Sequence, residues 1–412
     1  MKTWNFSPPT PSSMGDHDVP QEGEHLQGKR IALMVCGGIA AMRAPMVARA
    51  LRRYGADVVA YVSREALRYV TRDTLEWSTT NPVIEQLSPQ SEHLSNEQPF
   101  DAYLVAPATY NTINKMRYGI ADGTVTSSLA TALGLMEKGK AQVLVAPTMH
   151  GDMHNSILTE SLQKLQQMGV VIIPPRDDYG KHNIPQNEVL VAETIRALSD
   201  SPLKGRSVLV TGGPTPVPID NVRRITNRFR GRLGIEIAKE LYFRGAQVQL
   251  ILGFAGVNPP SYLDTIKVSS YREYKETVLK ALEQGAFWSG VFSAAVADYE
   301  PKTTYDGKLP SGGALQTLEL QPTEKVIDLV QEKYPQLNLL SFKYQENLTH
   351  GDLMAIAHKR LEKGHVAVVA NRGEEVGPQG EQVAYLVTKD HEQKAIGKRA
   401  IARMIGNFLE KL

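Results

Sequence analysis

Residues 30–63 read RIALMVCGGIAAMRAPMVARALRRYGADVVAYVS and decide the fold of the first half of the chain. The apolar run at the start of this stretch ends in two glycines, as expected of a strand buried on both faces of a parallel sheet. The residues that follow have helical spacing and stop at Gly55, a residue suited to a helix C-terminus. A second apolar run ends at Ser63, a residue that can cap a following helix. The stretch therefore predicts a β-α-β unit.

The composition sets limits on the class of protein. A chain of 412 residues exceeds the usual size of one hydrophobic core, so two domains are expected. The 46 basic and 44 acidic side chains give a net charge of +2, which argues against a nucleic-acid partner. Cys36 is the single cysteine, so neither an intrachain disulfide nor a cysteine zinc site is predicted. No signal peptide or membrane-spanning run is evident, and a cytoplasmic protein without a membrane partner is expected.

The same β-α-β pattern begins again in the second half of the chain. Residues 207–213, SVLVTGG, predict a buried strand, and a helix, a turn and another strand follow. The prediction is an α/β chain with two Rossmann-like three-layer domains and no metal site of its own. Its parts are a disordered tail over 1–28, a first domain over 29–197, a linker over 198–206 and a second domain over 207–412.

The first glycine turn, Cys36-Gly37-Gly38-Ile39-Ala40-Ala41, allows a close backbone approach to a ligand. The helix start that follows offers free N–H groups to a phosphate. The turn lacks the Gly-x-Gly-x-x-Gly pattern, and no acidic residue of the kind that binds a ribose follows the second strand. A nicotinamide dehydrogenase is therefore disfavoured. Tight strand-to-helix turns also use glycine for steric reasons alone, and that alternative stays open.

Two further strands end in Ala-Pro, namely residues 101–109, DAYLVAPAT, and residues 142–150, QVLVAPTMH. Parallel strands place their carboxyl ends at one edge of a sheet, so both turns are expected beside the Gly37-Gly38 turn. His93 lies thirteen positions before Ala106. It is either a solvated loop residue or a group of the same site, and this spacing favours the site.

Together with Asn111, Gly-Ile-Ala-Asp and Pro-x-Met, these motifs resemble the FMN-binding cysteine decarboxylases, in particular the decarboxylase half of bacterial coenzyme A biosynthesis proteins. The resemblance spans residues 29–200. It implies bound FMN and a base-like role for His93 in oxidation of a substrate thiol and loss of its carboxylate. Imidazole suits this work because it exchanges protons near neutral pH. The FMN contacts that the resemblance implies are Gly37, Gly38, Ile39, Ala40, Ser63, Ala106, Thr109 and Asn111.

The chain departs from this family at two places. The family has Pro-Ala-Met-Asn where this chain has Pro147-Thr148-Met149-His150, so Met149 and His150 are the substrate contacts that the resemblance implies. The flap segment at 176–189, RDDYGKHNIPQNEV, contains no cysteine, although the family uses one there to reduce an ene-thiol. An altered mechanism, a different thiol substrate and an inactive FMN-binding scaffold beside an active ligase all remain open.

The loop at 212–227 of the second domain is too long and polar for a simple connector. With Ala294 to Tyr299 and Gly307-Lys308-Leu309, it resembles phosphopantothenate-cysteine ligase, the usual C-terminal partner of the decarboxylase. The resemblance implies catalytic roles for Arg223, Asn227 and Lys308. The nucleotide or substrate contacts that it implies are Gly212, Ala294, Asp298, Phe342, Lys359 and Lys363.

The chemistry that this resemblance implies is amide formation between 4'-phosphopantothenate and cysteine through an acyl-nucleotide. A fixed cation is needed because the substrate carboxylate and the nucleotide, which are both anions, must approach each other. The fused architecture favours CTP over ATP, and Mg²⁺ is expected with either nucleotide. Lys359 and Lys363 stand four apart on one helix face, where an ordinary solvated basic face is the alternative reading. Members of these families assemble through both halves, so a homo-oligomer is expected.

Overall fold

A computed structural model describes residues 5–94, 97–312 and 317–412 of the chain. It divides into two compact units after Leu198, at the first residue of the predicted linker. Each unit has a parallel sheet with helices, so the prediction of two Rossmann-like α/β domains is confirmed. None of the helices in the described ranges is long and apolar enough to cross a membrane.

The first unit contains a five-stranded parallel sheet with the order β2-β1-β3-β4-β6. The order reverses between β1 and β3, which is the position where open α/β sheets bind ligands at their carboxyl edge. Its elements in chain order are β1 (Arg30–Val35), α1 (Ala44–Arg52), β2 (Asp57–Val62), α2 (Arg72–Thr79), β3 (Ala102–Ala108), α3 (Tyr110–Tyr118), α4 (Thr124–Glu137), β4 (Gln142–Pro147), β5 (Met149–His150), α5 (Ser156–Gln167), β6 (Val171–Ile172), β7 (Arg176–Asp178), β8 (Lys181–Asn183) and α6 (Asn187–Ala197).

Helices cover both faces of this sheet, as a three-layer domain requires. Helix α1 packs against α2 and α6, and α3 packs against α4 and α5. Alternate strand residues such as Ala32, Met34 and Val105 belong to one core cluster with Ile113 of α3 and Leu129 of α4. Strands buried on both faces explain why their sequences are continuous apolar runs.

Residues 22–26 differ from the predicted disordered tail over 1–28, of which residues 1–4 lie outside the described residues. Leu26 is fully buried, and its N–H donates to the Tyr54 carbonyl oxygen at 2.8 Å. The N–H of Glu22 donates to the Arg53 carbonyl oxygen at 2.7 Å, and the two side chains form an ion pair at 2.9 Å. The end of this segment is therefore part of the first unit, because it satisfies the free carbonyl groups after α1.

The second unit contains an eight-stranded sheet with the order β13-β12-β9-β14-β17-β18-β19-β20, in which only the last two strands are antiparallel to their neighbours. Its strand order reverses between β9 and β14. The elements are β9 (Ser207–Gly212), β10 (Val217–Pro218), β11 (Arg224–Ile225), α7 (Arg232–Phe243), β12 (Gln247–Leu252), β13 (Asp264–Lys267), α8 (Tyr271–Gln284), β14 (Ser289–Phe292), β15 (Tyr299–Pro301), β16 (Leu320–Pro322), α9 (Val326–Lys333), β17 (Asn338–Gln345), α10 (His350–Glu362), β18 (Ala367–Arg372), β19 (Val383–Val387), β20 (Glu392–Ile396) and α11 (Lys398–Leu409).

Glu375 joins the antiparallel edge of this sheet to the loop after β18. Its carboxylate accepts hydrogen bonds from the Tyr385 hydroxyl at 2.5 Å, from Lys394 Nζ at 2.9 Å and from Arg372 Nη2 at 2.9 Å. Burial alone raises the pKa of Glu375, but these three donors outweigh burial and lower the pKa to about 2.

We expect Glu375→Gln to lower the free energy of unfolding by about 2 kcal/mol at pH 7. The folded pKa lies below the ordinary value of about 4.3, so this stabilisation is complete above about pH 5 and disappears as the pH falls toward 2. Urea unfolding of the wild type and the variant at pH 7 and at pH 3 measures the difference. The exposed neighbour Glu374→Gln is the control. An equal effect of both variants at pH 7 would contradict the role of Glu375.

Candidate functional sites

The glycine turn after β1 and the residues after β3 lie side by side at the switch point of the first unit. A Cβ added to Gly38 would lie 3.6 Å from Thr109 Cγ2, an ordinary contact distance. Thr109 caps α3 by accepting the N–H of Thr112 at 3.3 Å. Cys36 lies under this turn, fully buried; burial raises the pKa of its thiol to about 11 against opposing hydrogen bonds from Thr112 and Thr109.

The two glycines of the turn serve different purposes. A Cβ on Gly37 would lie 2.4 Å from the Cβ of Glu65, so packing alone requires glycine there. Gly38 is extended, with φ −176°, and a Cβ there would meet only Thr109 Cγ2, at an ordinary contact distance. The steric alternative therefore explains Gly37, whereas the missing side chain of Gly38 leaves open space at the turn. Ile39 and Ala40 follow in a short 3-10 helix, and the Ile39 side chain is 71% exposed.

Gly38→Val is expected to fold, because the backbone is extended and a Cβ has room, but to fill the space at the turn. If FMN binds at this turn, the affinity for FMN should fall by about tenfold or more, equivalent to about 1.4 kcal/mol. The ratio of flavin to protein absorbance after purification, followed by titration with FMN, measures this effect. Wild-type flavin content in the variant would show that the turn does not hold the cofactor.

His93 lies in the loop that precedes β3. The Tyr61 hydroxyl, from β2, donates to the carbonyl oxygen of the adjacent Glu92 at 2.8 Å and so holds this loop against the sheet. The Nδ1 atom of His93 is buried and has no hydrogen-bond partner within the described residues. Buried polar atoms are normally paired, so an orphaned ring nitrogen fits a bound molecule that completes its hydrogen bonding. The described residues are thus compatible with a flavin or its substrate beside His93.

The other predicted site residues of the first unit differ in their burial and in their hydrogen bonds. Ala106 is fully buried in β3, Asn111 is exposed in α3, and the Ser63 hydroxyl accepts the N–H of Ala66 at 3.3 Å rather than capping α2. Met149 is buried in β5. The exposed His150 accepts the N–H of Asp152 at 3.3 Å and caps a 3-10 turn. His150 therefore has a local role in the loop in addition to the predicted contact with substrate.

In the second unit, the ends of β9 and β14 meet at the switch point. The N–H of Ala295 donates to the Gly213 carbonyl oxygen at 2.9 Å, and Asn227 Nδ2 donates to the Ala295 carbonyl oxygen at 2.9 Å. Gly212 approaches Gly234 of α7 so closely that a Cβ on Gly212 would lie 3.1 Å from the Gly234 Cα. The structure therefore brings the predicted residues Gly212, Asn227 and Ala294 to one edge of the sheet.

Asp220 organises the long loop and was not predicted as a site residue. Its fully buried carboxylate accepts the N–H groups of Val222 at 2.8 Å, Arg223 at 2.5 Å and Leu309 at 3.0 Å. The Arg223 guanidinium also donates to it at 3.2 Å. Burial raises the pKa of Asp220, but the backbone donors and the Arg223 charge outweigh burial and hold it below its usual range. Asp220 thus holds Arg223 and the backbone of Leu309, beside Lys308, in place relative to each other.

We expect Asp220→Ala to reduce the activity of this site by about 10- to 100-fold, because Arg223 and the residue next to Lys308 lose their common anchor. Asp220→Asn, which keeps an acceptor oxygen without the charge, should lose less. The measurement is the initial rate of nucleotide-dependent pyrophosphate release, with the exposed Asp390→Ala as control. Unchanged rates for both Asp220 variants would contradict this positioning role.

Asp298 is exposed after β14 and forms an ion pair with Lys325, just before α9. Phe342 is half-buried in β17, and its carbonyl oxygen accepts Arg360 Nη1 at 2.8 Å. The next residue, Lys343, is half-buried, and burial followed by the nearby charge of Arg360 lowers its pKa. Sequence reasoning missed Lys325 and Lys343, which add positive charge beside Asp298.

Lys359 and Lys363 lie elsewhere on the second unit. Both are exposed. Lys359 lies in the last turn of α10 and Lys363 is the residue that caps its C-terminus. The chain then returns to the sheet, where the N–H of Val366 donates to the Leu339 carbonyl oxygen at 3.0 Å. Leu339 is at the amino end of β17. The described chain therefore places these lysines at the opposite edge of the sheet from Asp298, and their predicted phosphate contact stays a prediction.

Comparisons with known protein families divide the chain in the same way as the structure. Residues 20–199 match the family described as Flavoprotein. Residues 203–412 match the family described as the DNA/pantothenate metabolism flavoprotein C-terminal domain. Each match coincides with one compact unit.

Relatives match both units at once. The chain is 37% identical over 396 residues to the coenzyme A biosynthesis bifunctional protein CoaBC of Thermococcus kodakarensis, covering 94% of this chain and 96% of that protein. It is 30% identical over 393 residues to the protein of the same name from Methanocaldococcus jannaschii, covering 94% of each. A solved DNA/pantothenate metabolism flavoprotein from Streptococcus pneumoniae is 26% identical with a TM-score of 0.46, covering 50% of this chain and 99% of that chain.

Proposed function

Because the chain belongs to the family of coenzyme A biosynthesis bifunctional proteins, we propose that it joins 4'-phosphopantothenate to cysteine and decarboxylates the product to 4'-phosphopantetheine. The observation that carries this proposal is the match to one bifunctional relative across 94% of the chain, which includes both units. The second unit performs the ligation and the first unit the decarboxylation. The order of the two units is that of the relatives.

In the second unit, the substrate carboxylate and a nucleoside triphosphate must approach each other although both are negatively charged. Arg223, held by Asp220, supplies a fixed cation, and Asn227 supplies an amide beside Ala295. Lys308 follows Gly307, whose carbonyl oxygen accepts the Asn221 N–H at 3.0 Å, so the two loops are joined at this point. The ammonium group of Lys308 stabilises the charge of the departing pyrophosphate. The cysteine amine then attacks the acyl carbon of the acyl-nucleotide, so that the amide forms and the nucleoside monophosphate and one proton are released.

The nucleotide is CTP with Mg²⁺ in this proposal, with ATP as the alternative. The fused arrangement of the two units favours CTP, whereas Ser341-Phe342-Lys343 resembles the separate eukaryotic ligases that use ATP. Mg²⁺ offsets the charge of the triphosphate, as in other nucleotidyl transfers. Pyrophosphate release in parallel reactions with CTP and ATP, each with and without EDTA, distinguishes the nucleotides and tests the need for the metal.

In the first unit, three residues would hold FMN and the substrate thiol. They are Gly38 in the turn, Thr109 at the cap of α3, and His93, whose Nδ1 has no partner among the described residues. Bound FMN supplies a two-electron oxidation of the thiol and its reversal, which makes loss of the neighbouring carboxylate feasible. His93 accepts the thiol proton in this proposal.

The proposal is tested by purified protein without added cofactor. A yellow protein that releases pyrophosphate with 4'-phosphopantothenate, cysteine and CTP, and carbon dioxide from phosphopantothenoylcysteine, supports both activities. Pyrophosphate without carbon dioxide would instead support a ligase that carries an inactive FMN-binding scaffold. Carbon dioxide from another thiol-bearing acid alone would support a decarboxylase of a different substrate. The cysteine-free β7–β8 hairpin is the observation that favours these alternatives.

A homo-oligomer and a cytoplasmic location also belong to this proposal. Ile39, Met42 and Met46 expose 71%, 61% and 56% of their surface close together in sequence, which supports a subunit contact on the first unit. Light scattering on the purified protein measures the oligomeric state, and a monomer would contradict the assembly.

A further inference from the structure

The side chains of Met149, His182 and Asp177 lie on one face of the small antiparallel sheet that follows β4. In this sheet β8 pairs with both β5 and β7, and His182 lies directly opposite Met149 on one side and Asp177 on the other. Directly opposed residues of antiparallel strands project from the same face. Met149 is buried, the His182 side chain is 22% exposed and the Asp177 side chain is 73% exposed, so the Met149 end of this face is covered and the Asp177 end is open to solvent.

Asp177, His182 and His154 form a hydrogen-bonded row that ends at the Thr159 hydroxyl. His182 Nδ1 lies 2.5 Å from Asp177 Oδ1, and His182 Nε2 lies 2.7 Å from His154 Nδ1. His154 Nε2 in turn lies 3.1 Å from the Thr159 hydroxyl at the start of α5. The four side chains come from three separate elements and the loop after β5.

The carboxylate of Asp177 fixes the direction of this chain. An ionised carboxylate only accepts, so Nδ1 of His182 donates to Asp177. The Nε2 atom of His182 then carries a lone pair and accepts the Nδ1 proton of His154. Nε2 of His154 is the far end of this chain, beside the Thr159 hydroxyl, which also donates to the Asn155 carbonyl oxygen at 3.2 Å. As a ring nitrogen, it is the atom of the chain that can carry a proton to a bound molecule.

Metal binding does not explain this arrangement. Two imidazole nitrogens bound to one zinc ion at about 2.0–2.1 Å lie about 3.3 Å apart in tetrahedral geometry. The 2.7 Å between the rings of His154 and His182 is a hydrogen-bond distance instead. Among the described residues, no group of three or more His, Cys, Asp and Glu side chains is arranged to hold a metal.

Decarboxylation needs such a proton. When the carbon–carbon bond to the carboxylate breaks, carbon dioxide leaves and its electron pair stays on the substrate. The product then requires one proton on that carbon, so that R–COO⁻ and H⁺ give R–H and carbon dioxide. Cys36, the single thiol of the chain, is buried and a weak acid, with its pKa raised to about 11. His93 takes up the thiol proton in the proposed function, which leaves the source of the carbon-bound proton unassigned.

We propose that the Asp177–His182–His154 row supplies the proton that replaces carbon dioxide on the product. This inference rests on the proposed decarboxylation by the first unit. The row shares its face with Met149, a predicted substrate contact, and His154 follows β5 by only four residues. His154 is the donor to the substrate, and His182 and Asp177 are positioning residues that act through it.

The test measures carbon dioxide release from phosphopantothenoylcysteine by the FMN-loaded full chain. We expect His154→Gln and His182→Gln each to lower the rate by about 100-fold, within the usual range for loss of a general acid. Added imidazole should restore a large part of the rate of His154→Gln. Asp177→Asn should lose about tenfold, and His17→Gln, whose ring is exposed elsewhere on the first unit, should lose nothing.

Controls separate this role from folding and from the proposed function. Flavin content and pyrophosphate release by the second unit report whether each variant is folded. Asp177 is 73% exposed, so Asp177→Asn stays folded even if a histidine variant loses flavin. Rates within twofold of wild type in all three variants, or a loss that imidazole does not relieve, would overturn the proton-delivery role. A wild-type chain that releases no carbon dioxide would overturn the decarboxylation itself.

Discussion

Lys308→Gln is expected to lower pyrophosphate release from 4'-phosphopantothenate and nucleotide by about 100- to 1,000-fold. Removal of one preorganised group that stabilises transition-state charge has an effect of this size. Gln keeps a polar side chain with an N–H donor, although it is shorter, and removes the charge that offsets the departing pyrophosphate. Lys308 is exposed, so the change should not affect folding. Initial rates at saturating substrate measure the effect.

The matched control for this prediction is Lys333→Gln, an exposed lysine in the last turn of α9. It removes the same charge from the same unit without touching the loop of Asp220. Carbon dioxide release by the first unit should be unchanged in both variants. Retention of more than about a tenth of wild-type pyrophosphate release by Lys308→Gln would contradict the assignment of Lys308.

His93→Asn is expected to abolish carbon dioxide release, with a loss of about 100- to 10,000-fold, while pyrophosphate release stays at the wild-type level. Asparagine can still form hydrogen bonds in the place of the imidazole but cannot accept a proton. The Nδ1 atom of His93, which is buried and has no hydrogen-bond partner in the part of the chain that the structure describes, is the basis for this expectation.

Flavin absorbance shows whether the His93 variant still binds its cofactor. A bound flavin together with lost decarboxylation would separate catalysis from cofactor binding. Wild-type carbon dioxide release by His93→Asn would mean that His93 is the solvated loop residue that the sequence left as the alternative.

Much of the architecture could be predicted from short apolar runs that end in glycine or Ala-Pro. Parallel strands share a carboxyl edge, so the sequence correctly implied that Gly38 and Thr109 belong to a common edge. The resemblance to the decarboxylase and ligase halves is confirmed by relatives that match across both units.

Contacts between distant loops could not be predicted in this way. Asp220 and Leu309 are separated by 89 residues, and nothing in either segment indicates that the carboxylate accepts that particular N–H group. The run Asp220-Asn221-Val222-Arg223 does have the form of a turn that starts with an aspartate, and this was the available signal. The burial of Leu26 was missed because single apolar residues without a period carry little information.

Helical spacing also has a limit as a guide to sites. It placed Lys359 and Lys363 on one face of a helix, but the spacing does not state which edge of the sheet that end of the helix reaches. The structure puts them at the amino edge, because α10 returns the chain to the start of β18. Their link to the nucleotide therefore rests on the family resemblance and not on proximity to Asp298.

The most direct test of the two-step account is a single reaction with purified protein, 4'-phosphopantothenate, CTP, Mg²⁺ and cysteine labelled in its carboxylate. We expect pyrophosphate release followed by labelled carbon dioxide, with 4'-phosphopantetheine as the final product. Pyrophosphate without labelled carbon dioxide would contradict the decarboxylase half, and no pyrophosphate with either CTP or ATP would contradict the account as a whole.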